Sequence, residues 1–103
     1  YDPYRHAIGR MLRDGEGDLL VWTASISPTL APPATRIPTI VLSTPGLALA
    51  GTPAVFIPVG TPGVDHAGRL VRVDNVVSLP LKDLGRSEFP AVADVAAAIE
   101  AKL

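Results

Sequence analysis

Three runs of apolar residues dominate the first sixty positions, at residues 18–25 (DLLVWTAS), 38–43 (PTIVLS) and 54–59 (AVFIPV). Each run is nearly continuous rather than alternating between apolar and polar residues, which is typical of strands covered on both faces of a parallel sheet. The segments between them contain several prolines and glycines, so we expect loop-like crossovers instead of long helices. The pattern predicts an α/β fold: a Rossmann-like half-domain with a three-stranded, mostly parallel sheet.

The pattern changes after residue 68. Two shorter strand-like runs, at residues 69–73 and 76–81, flank Asp74 and Asn75. Both of these residues tolerate positive φ, so a β-hairpin with a two-residue turn is predicted. Pro80 cannot donate a ladder hydrogen bond, which places its strand at an edge.

Apolar residues at helical spacing predict a helix at each end of the chain, flanking the sheet. Asp2 is the expected N-cap of the first helix, Pro3 suits its first turn, and Gly15 is expected to end it. The second helix is predicted over residues 91–103. Its apolar stripe consists of Val92, Val95, Ala96, Ile99 and Leu103.

The length, net charge and apolar content of the chain exclude some classes of protein and favour others. At 103 residues the chain is expected to form one domain, residues 1–103, and its start at Tyr1 instead of Met suggests a fragment without its N-terminal part. The net charge of −1 without a basic cluster argues against nucleic-acid binding. The apolar runs are shorter than the roughly 18 residues that cross a bilayer. An apolar fraction of 48% predicts that some apolar surface contacts a partner.

A glycine-rich loop follows the third run, at the end of a strand where α/β sheets commonly bind ligands. The residues predicted to contact a cofactor there are Gly60, Gly63, Asp65, His66, Gly68 and Arg69. The glycine spacing matches neither the dinucleotide nor the Walker pattern, so sharp turning is the competing explanation. Asp65 and His66 are an adjacent acid–imidazole pair, which general-base chemistry could use. The alternative is that Asp65 caps loop amides and His66 packs at a subunit contact.

Two motifs carry a resemblance to a known family. The pattern G-E-x-D-x-L-x-W lies at residues 15–22, and I-P-x-G-x-x-G-x-D-H-A-G lies at residues 57–68. With the PTIVLSTPG strand, they make essentially the whole chain resemble the C-terminal part of the B subunit of formylmethanofuran dehydrogenase. It is most similar to the bacterial version, the B subunit of the formyltransferase/hydrolase complex of methylotrophs. Asp65-His66 departs from the E-x-x-G-T motif of related enzymes, which weakens the transfer of pterin contacts to this loop.

The resemblance implies a place in the molybdopterin oxidoreductase superfamily and in C1 metabolism, where formyl groups are carried by methanofuran or a related carrier. It implies a cytoplasmic, structural segment whose partners are the other subunits of the complex and the upstream part of its own subunit. No cofactor is expected in this segment. The resemblance leaves two questions open for the parent protein: whether it binds molybdopterin or tungstopterin, and whether it is an enzyme. The alternative from another class is a small nucleotide- or anion-binding module that uses the loop from Gly60 to Arg69.

Overall fold

The structure is a computed structural model that describes residues 2–85 and 87–103. Its elements in chain order are α1 (Ile8–Arg13), β1 (Leu20–Ala24), β2 (Thr39–Ser43), β3 (Val55–Pro58), β4 (Gly68–Val71), β5 (Ser78–Leu81) and α2 (Val92–Glu100). Strands β1, β2 and β3 form one sheet in that order, and both of its pairings are parallel. Strands β4 and β5 form a separate antiparallel pair. The predicted α/β fold, with a parallel sheet, a hairpin and terminal helices, is confirmed.

The central strand β2 holds the core. Val41 and Ser43 are fully buried, and Leu42 is 2% exposed. The buried Ser43 hydroxyl donates to the Ala24 carbonyl oxygen at 2.9 Å, which removes the cost of an unpaired polar group between β1 and β2. The β-branched residues of this strand suit a pleated, buried surface, so its local preference and its position agree.

The two faces of the sheet are covered unequally. On one face, Leu42 packs with Val59 and with Val95 of α2. On the other face, the crossover between β1 and β2 lies against Trp22, whose indole N–H donates to the Leu30 carbonyl oxygen at 2.9 Å. The cluster around α2 includes residues of β2 and β3 but none of β1, and Val21 of β1 is 51% exposed. The expectation that all three strands are covered on both faces therefore holds for β2 and fails for β1.

Helix α1 is shorter than predicted. Asp2 does act as a cap, but its Oδ1 accepts from the amides of Tyr4 and Arg5 in a separate turn, and the helix begins only at Ile8. Gly15 adopts φ +67° just beyond the helix, as expected. All six α1 residues remain partly or fully exposed, which shows that this helix adds little to the core.

The hairpin is present, but its turn differs from the prediction. The Arg72 amide donates to the Val77 carbonyl oxygen at 2.9 Å, which leaves a loop of four residues, 73–76, instead of two. Asp74 Oδ1 accepts from the Val76 amide at 3.0 Å, and Asn75 has φ +59°. The Asp74 carboxylate thus takes an amide that a tight two-residue turn would have used in the ladder.

Helix α2 ends before the predicted residue 103. Asp94 accepts from the Ala91 amide at 3.3 Å and so satisfies the start of the helix. Val95 is buried, with Val92 and Ile99 packed around it. Ala96 and Leu103 are exposed, so the predicted apolar stripe is wrong at these two positions. Leu103 lies beyond the last helical turn and no longer follows its periodicity.

The molecule is open for its size. Its accessible surface is 7678 Å². A folded monomer of 10.7 kDa is expected to expose roughly 5,500 Å². The radius of gyration of 15.0 Å also exceeds the value of about 13 Å for a domain of this length. Within residues 2–85 and 87–103, no helix is long and apolar enough to cross a membrane.

Candidate functional site

The glycine-rich loop, residues 60–69, leaves the carboxyl edge of the parallel sheet, where the sequence predicted it. Val59 is 1% exposed, and its amide donates to the Ser43 carbonyl oxygen at 2.9 Å, which extends the pairing of β3 with β2. The next amide, Gly60, donates to the Pro90 carbonyl oxygen at 2.9 Å. The start of the loop is therefore anchored between the sheet and the segment that leads into α2.

Close contacts explain the three glycines of this loop. A Cβ at Gly60 would lie 3.0 Å from the Asp65 Cβ, and one at Gly68 would lie 2.8 Å from the Pro62 Cβ. Gly63 has φ +80°, which disfavours a side chain, and its Cβ would also lie 3.2 Å from Leu81. These glycines allow the loop to fold tightly on itself and on the hairpin. This agrees with the interpretation that they serve sharp turns of the chain and not phosphate binding.

Asp65 holds the loop closed. Its Oδ2 accepts from the Thr61 amide at 2.7 Å, while its own amide donates back to the Thr61 carbonyl oxygen at 2.9 Å. A carboxylate that accepts a backbone N–H at this distance makes a strong, charge-assisted hydrogen bond. Of the two alternatives for Asp65, the structure shows the one in which its carboxylate caps a loop amide.

His66 also faces backbone groups of its own loop. Its Nδ1 lies 2.7 Å from the Ala67 carbonyl oxygen, and its Nε2 lies 3.3 Å from the Gly60 carbonyl oxygen. Since Asp65 accepts from Thr61, the acid and the imidazole are aimed at different partners. The structure brings both residues into one half-buried cluster with Gly60, but it does not join them as an acid–base pair.

The N–H groups in the first part of the loop, from Gly60 to Asp65, are already used. Those that donate hydrogen bonds within the molecule belong to Gly60, Thr61, Gly63, Val64 and Asp65. A phosphate-binding loop instead points several free N–H groups at one spot. Arg69 lies apart from this cluster, on β4, where its guanidinium donates to the Ser78 hydroxyl at 3.4 Å. The assignment of cofactor contacts to the six predicted residues stays a prediction, and the geometry assigns most of them a structural role.

Sequence reasoning missed Thr44, which lies at the same edge of the sheet. This residue directly follows β2, and its Oγ1 is buried without a hydrogen-bond partner among residues 2–85 and 87–103. Both β2 and β3 are followed closely by the same tripeptide, Thr-Pro-Gly, at residues 44–46 and 61–63. That repeat is a sequence signal that could have pointed to this residue. A buried hydroxyl without a partner is uncommon and is a candidate contact for a ligand.

Two open clefts lie away from the loop. One, of about 510 Å³, lies at the amino ends of β2 and β3 between the two crossovers, and Arg36 is the charged residue in its lining. The other, of about 540 Å³, runs along α2 beside Ile57, Val95 and Ile99 and is almost wholly apolar. Four prolines and one glycine are among the residues that line the first cleft, and the folded crossovers bring them together.

The fold and the loop define a small α/β domain with an internally bonded turn at the carboxyl edge of its sheet. Within the described residues, no group of three or more His, Asp or Glu side chains could hold a metal ion. Comparison of the chain with protein-family models, with curated proteins and with solved structures gave no match.

Proposed function

We propose that the chain is a structural segment of a protein like the B subunit of formylmethanofuran dehydrogenase, in a cytoplasmic complex of C1 metabolism. One observation carries the structural role: Asp65 and His66 direct their polar atoms at backbone groups of their own loop. Side chains used in this way hold a turn together and leave little for a substrate. The resemblance of residues 15–22 and 57–68 supports the family.

The partners in this proposal are the other subunits and the upstream part of the same subunit. The open surface of the molecule supports such contacts, since 7678 Å² is well above the area expected for a self-contained monomer. A molybdopterin or tungstopterin would supply the redox chemistry of a parent enzyme. The residues of this loop fit that group poorly, because the N–H groups from Gly60 to Asp65 already donate within the molecule.

Assembly and turnover measured on the same sample test this proposal. We expect the full-length parent to co-purify with the formyltransferase/hydrolase subunits. Asp65→Asn is expected to lower the melting temperature and the yield of complex, because a neutral amide oxygen is a weaker acceptor for the Thr61 amide. Turnover per assembled complex should stay unchanged.

Two results would contradict different parts of the proposal. A parent that never associates with these subunits removes the assignment to the complex. A loss of turnover of about tenfold or more in correctly assembled Asp65→Asn complex assigns the loop a catalytic role instead. Asp83→Asn, outside the loop, is the matched control for loss of a carboxylate.

A second candidate is the small nucleotide- or anion-binding module, and the unpartnered Thr44 hydroxyl favours it. Because β2 and β3 are neighbours in register, Thr44 lies beside the start of the glycine-rich loop. Titration with inorganic phosphate and with ADP, followed by amide chemical shifts, tests this function. Shifts confined to residue 44 and residues 60–69, lost in Thr44→Val, would support it, and unchanged spectra at millimolar ligand would exclude it.

A further inference from the structure

The β4–β5 hairpin exposes apolar side chains on both of its faces. Leu70 and Leu79, which lie opposite each other, are 49% and 53% exposed, and Val71 on the other face is 50% exposed. The hairpin has only two strands and is separate from the parallel sheet. Two-stranded hairpins are marginally stable in water, and a further strand or a covering layer stabilises them.

The hydrogen-bond register identifies the free backbone groups. The Arg72 amide donates to Val77, so residues 72 and 77 form a hydrogen-bonded pair. Pairs alternate along an antiparallel ladder, which makes Arg69–Pro80 and Val71–Ser78 the non-hydrogen-bonded pairs. The N–H and C=O groups of Arg69 and Val71 therefore point away from β5, and they have no partner in the described part of the chain.

The two edges of the hairpin differ. On β5, Pro80 has no N–H, so the outer edge keeps only the Ser78 donor and resists a further strand. On β4, the outer edge keeps both donors and both acceptors. A charged side chain often protects such an edge, but the Arg69 guanidinium reaches back to the Ser78 hydroxyl on β5. Strand β4 is therefore the edge that is open to pairing.

We propose that β4 pairs antiparallel with β4 of a second copy of this chain, about a twofold axis at Leu70. In this register Arg69 lies opposite Val71 of the second copy, and the outward groups of each pair exchange both hydrogen bonds. Leu70 lies opposite its own copy, with Leu79 of each hairpin beside it on the same face. Two hairpins become one four-stranded sheet with a continuous apolar stripe.

Three observations favour a second copy as the occupant. The strand is complementary to itself, as an isologous twofold contact requires, and no like charges lie directly opposite each other. The formal net charge of −1 opposes association of two copies very little. The accessible surface exceeds that of an ordinary monomer of this mass by about 2,000 Å², while a stable dimer buries about 800 Å² per partner.

Analytical ultracentrifugation of the full chain from about 1 to about 200 µM tests the dimer. We expect a concentration-dependent dimer, with the Arg69 and Val71 amides gaining protection from hydrogen exchange as dimer forms. Val71→Pro removes one outward donor without touching the bonds between β4 and β5, and it should weaken the dimer at least about tenfold. Ser78→Pro removes the equivalent outward donor on β5, and Ser78→Ala removes only the hydroxyl that Arg69 contacts. Equal dimerisation in these two variants is the matched control, because it shows that the outward donor of β5 is not used.

A second pair of variants keeps the test valid if proline disturbs the hairpin. Leu70→Lys places like charges opposite each other across the twofold axis and should also abolish the dimer. Val73→Lys, at a fully exposed loop position, is its control. A chain that remains monomeric at the highest concentration overturns the proposal. So does a dimer that survives both Val71→Pro and Leu70→Lys, because its interface then lies elsewhere.

Discussion

At the scale of single residues, backbone geometry and side-chain hydrogen bonds define the candidate loop. Two Thr-Pro-Gly segments follow neighbouring strands, yet their glycines have different surroundings. Gly63 has φ +80° and faces Leu81, whereas Gly46 has open space where a side chain would go. The same tripeptide therefore forms a packed turn that requires glycine after β3 and an open turn after β2.

Because of this difference, Gly63→Ala tests whether the turn after β3 requires glycine. We expect it to lower the free energy of unfolding by about 1–3 kcal/mol, because alanine is strained at positive φ and its methyl group would press on Leu81. Gly46→Ala should change stability by less than about 1 kcal/mol, in the stabilising direction. Urea denaturation of both variants measures the difference, and equal effects would show that position 63 tolerates a side chain as well as position 46 does.

A second prediction at this scale concerns pH and the hairpin loop. Hydrogen bonds from the Arg72 side chain and then from the Val76 amide lower the pKa of Asp74. A carboxylate whose pKa is lower in the folded state stabilises that state above its unfolded pKa, and the contribution is lost as the pH falls through the folded value. We therefore expect the loop to loosen only in strongly acidic solution.

Carboxyl chemical shifts recorded from pH 7 down to pH 2 measure this effect. In Arg72→Gln the midpoint of the Asp74 titration should rise toward the ordinary range, since the largest cause of the shift is removed. Arg69→Gln, on the same hairpin but hydrogen-bonded to Ser78, is the matched control and should leave the midpoint in place. An unchanged midpoint in Arg72→Gln would contradict the assigned cause.

At the scale of elements, the two helices contribute very differently. Helix α2 presents Val95 to the core formed by Leu42 and Val59. Helix α1 leaves all six of its residues partly or fully exposed, and Ile8 is 41% exposed. The same kind of periodicity predicts both helices, so the pattern alone does not distinguish the one that covers the sheet from the one that does not.

Paired substitutions test this difference. Val95→Ala removes two buried methyl groups and should lower the free energy of unfolding by about 1–3 kcal/mol. Ile8→Ala removes more carbon atoms but from a half-exposed position, so its effect should stay within about 0.5 kcal/mol. Thermal or urea unfolding followed by circular dichroism compares the two. A larger loss for Ile8→Ala would place α1 in a packed interface.

At the scale of the whole molecule, open surface is the dominant feature. A sheet covered fully only at its middle strand, a peripheral helix and a separate hairpin together account for an accessible surface of 7678 Å². Such a surface fits a chain that contacts other copies or other subunits. The proposed dimer depends on the outer edge of β4, so Val71→Pro and Leu70→Lys distinguish it from the proposed assembly with other subunits.

Local patterns along the chain were enough to predict the strands, their parallel arrangement and the hairpin, and they offered capping by Asp65 as one of two alternatives. These features depend on apolar runs, on turn residues and on the short separation between Asp65 and Thr61, all of which are visible in the order of residues. The exposed side of β1, the four-residue hairpin loop, the orphaned Thr44 hydroxyl and the free edge of β4 emerged only from the folded molecule. Each of these features depends on which residues are neighbours in the folded molecule. The periodicity of the sequence indicates only which residues prefer to be buried.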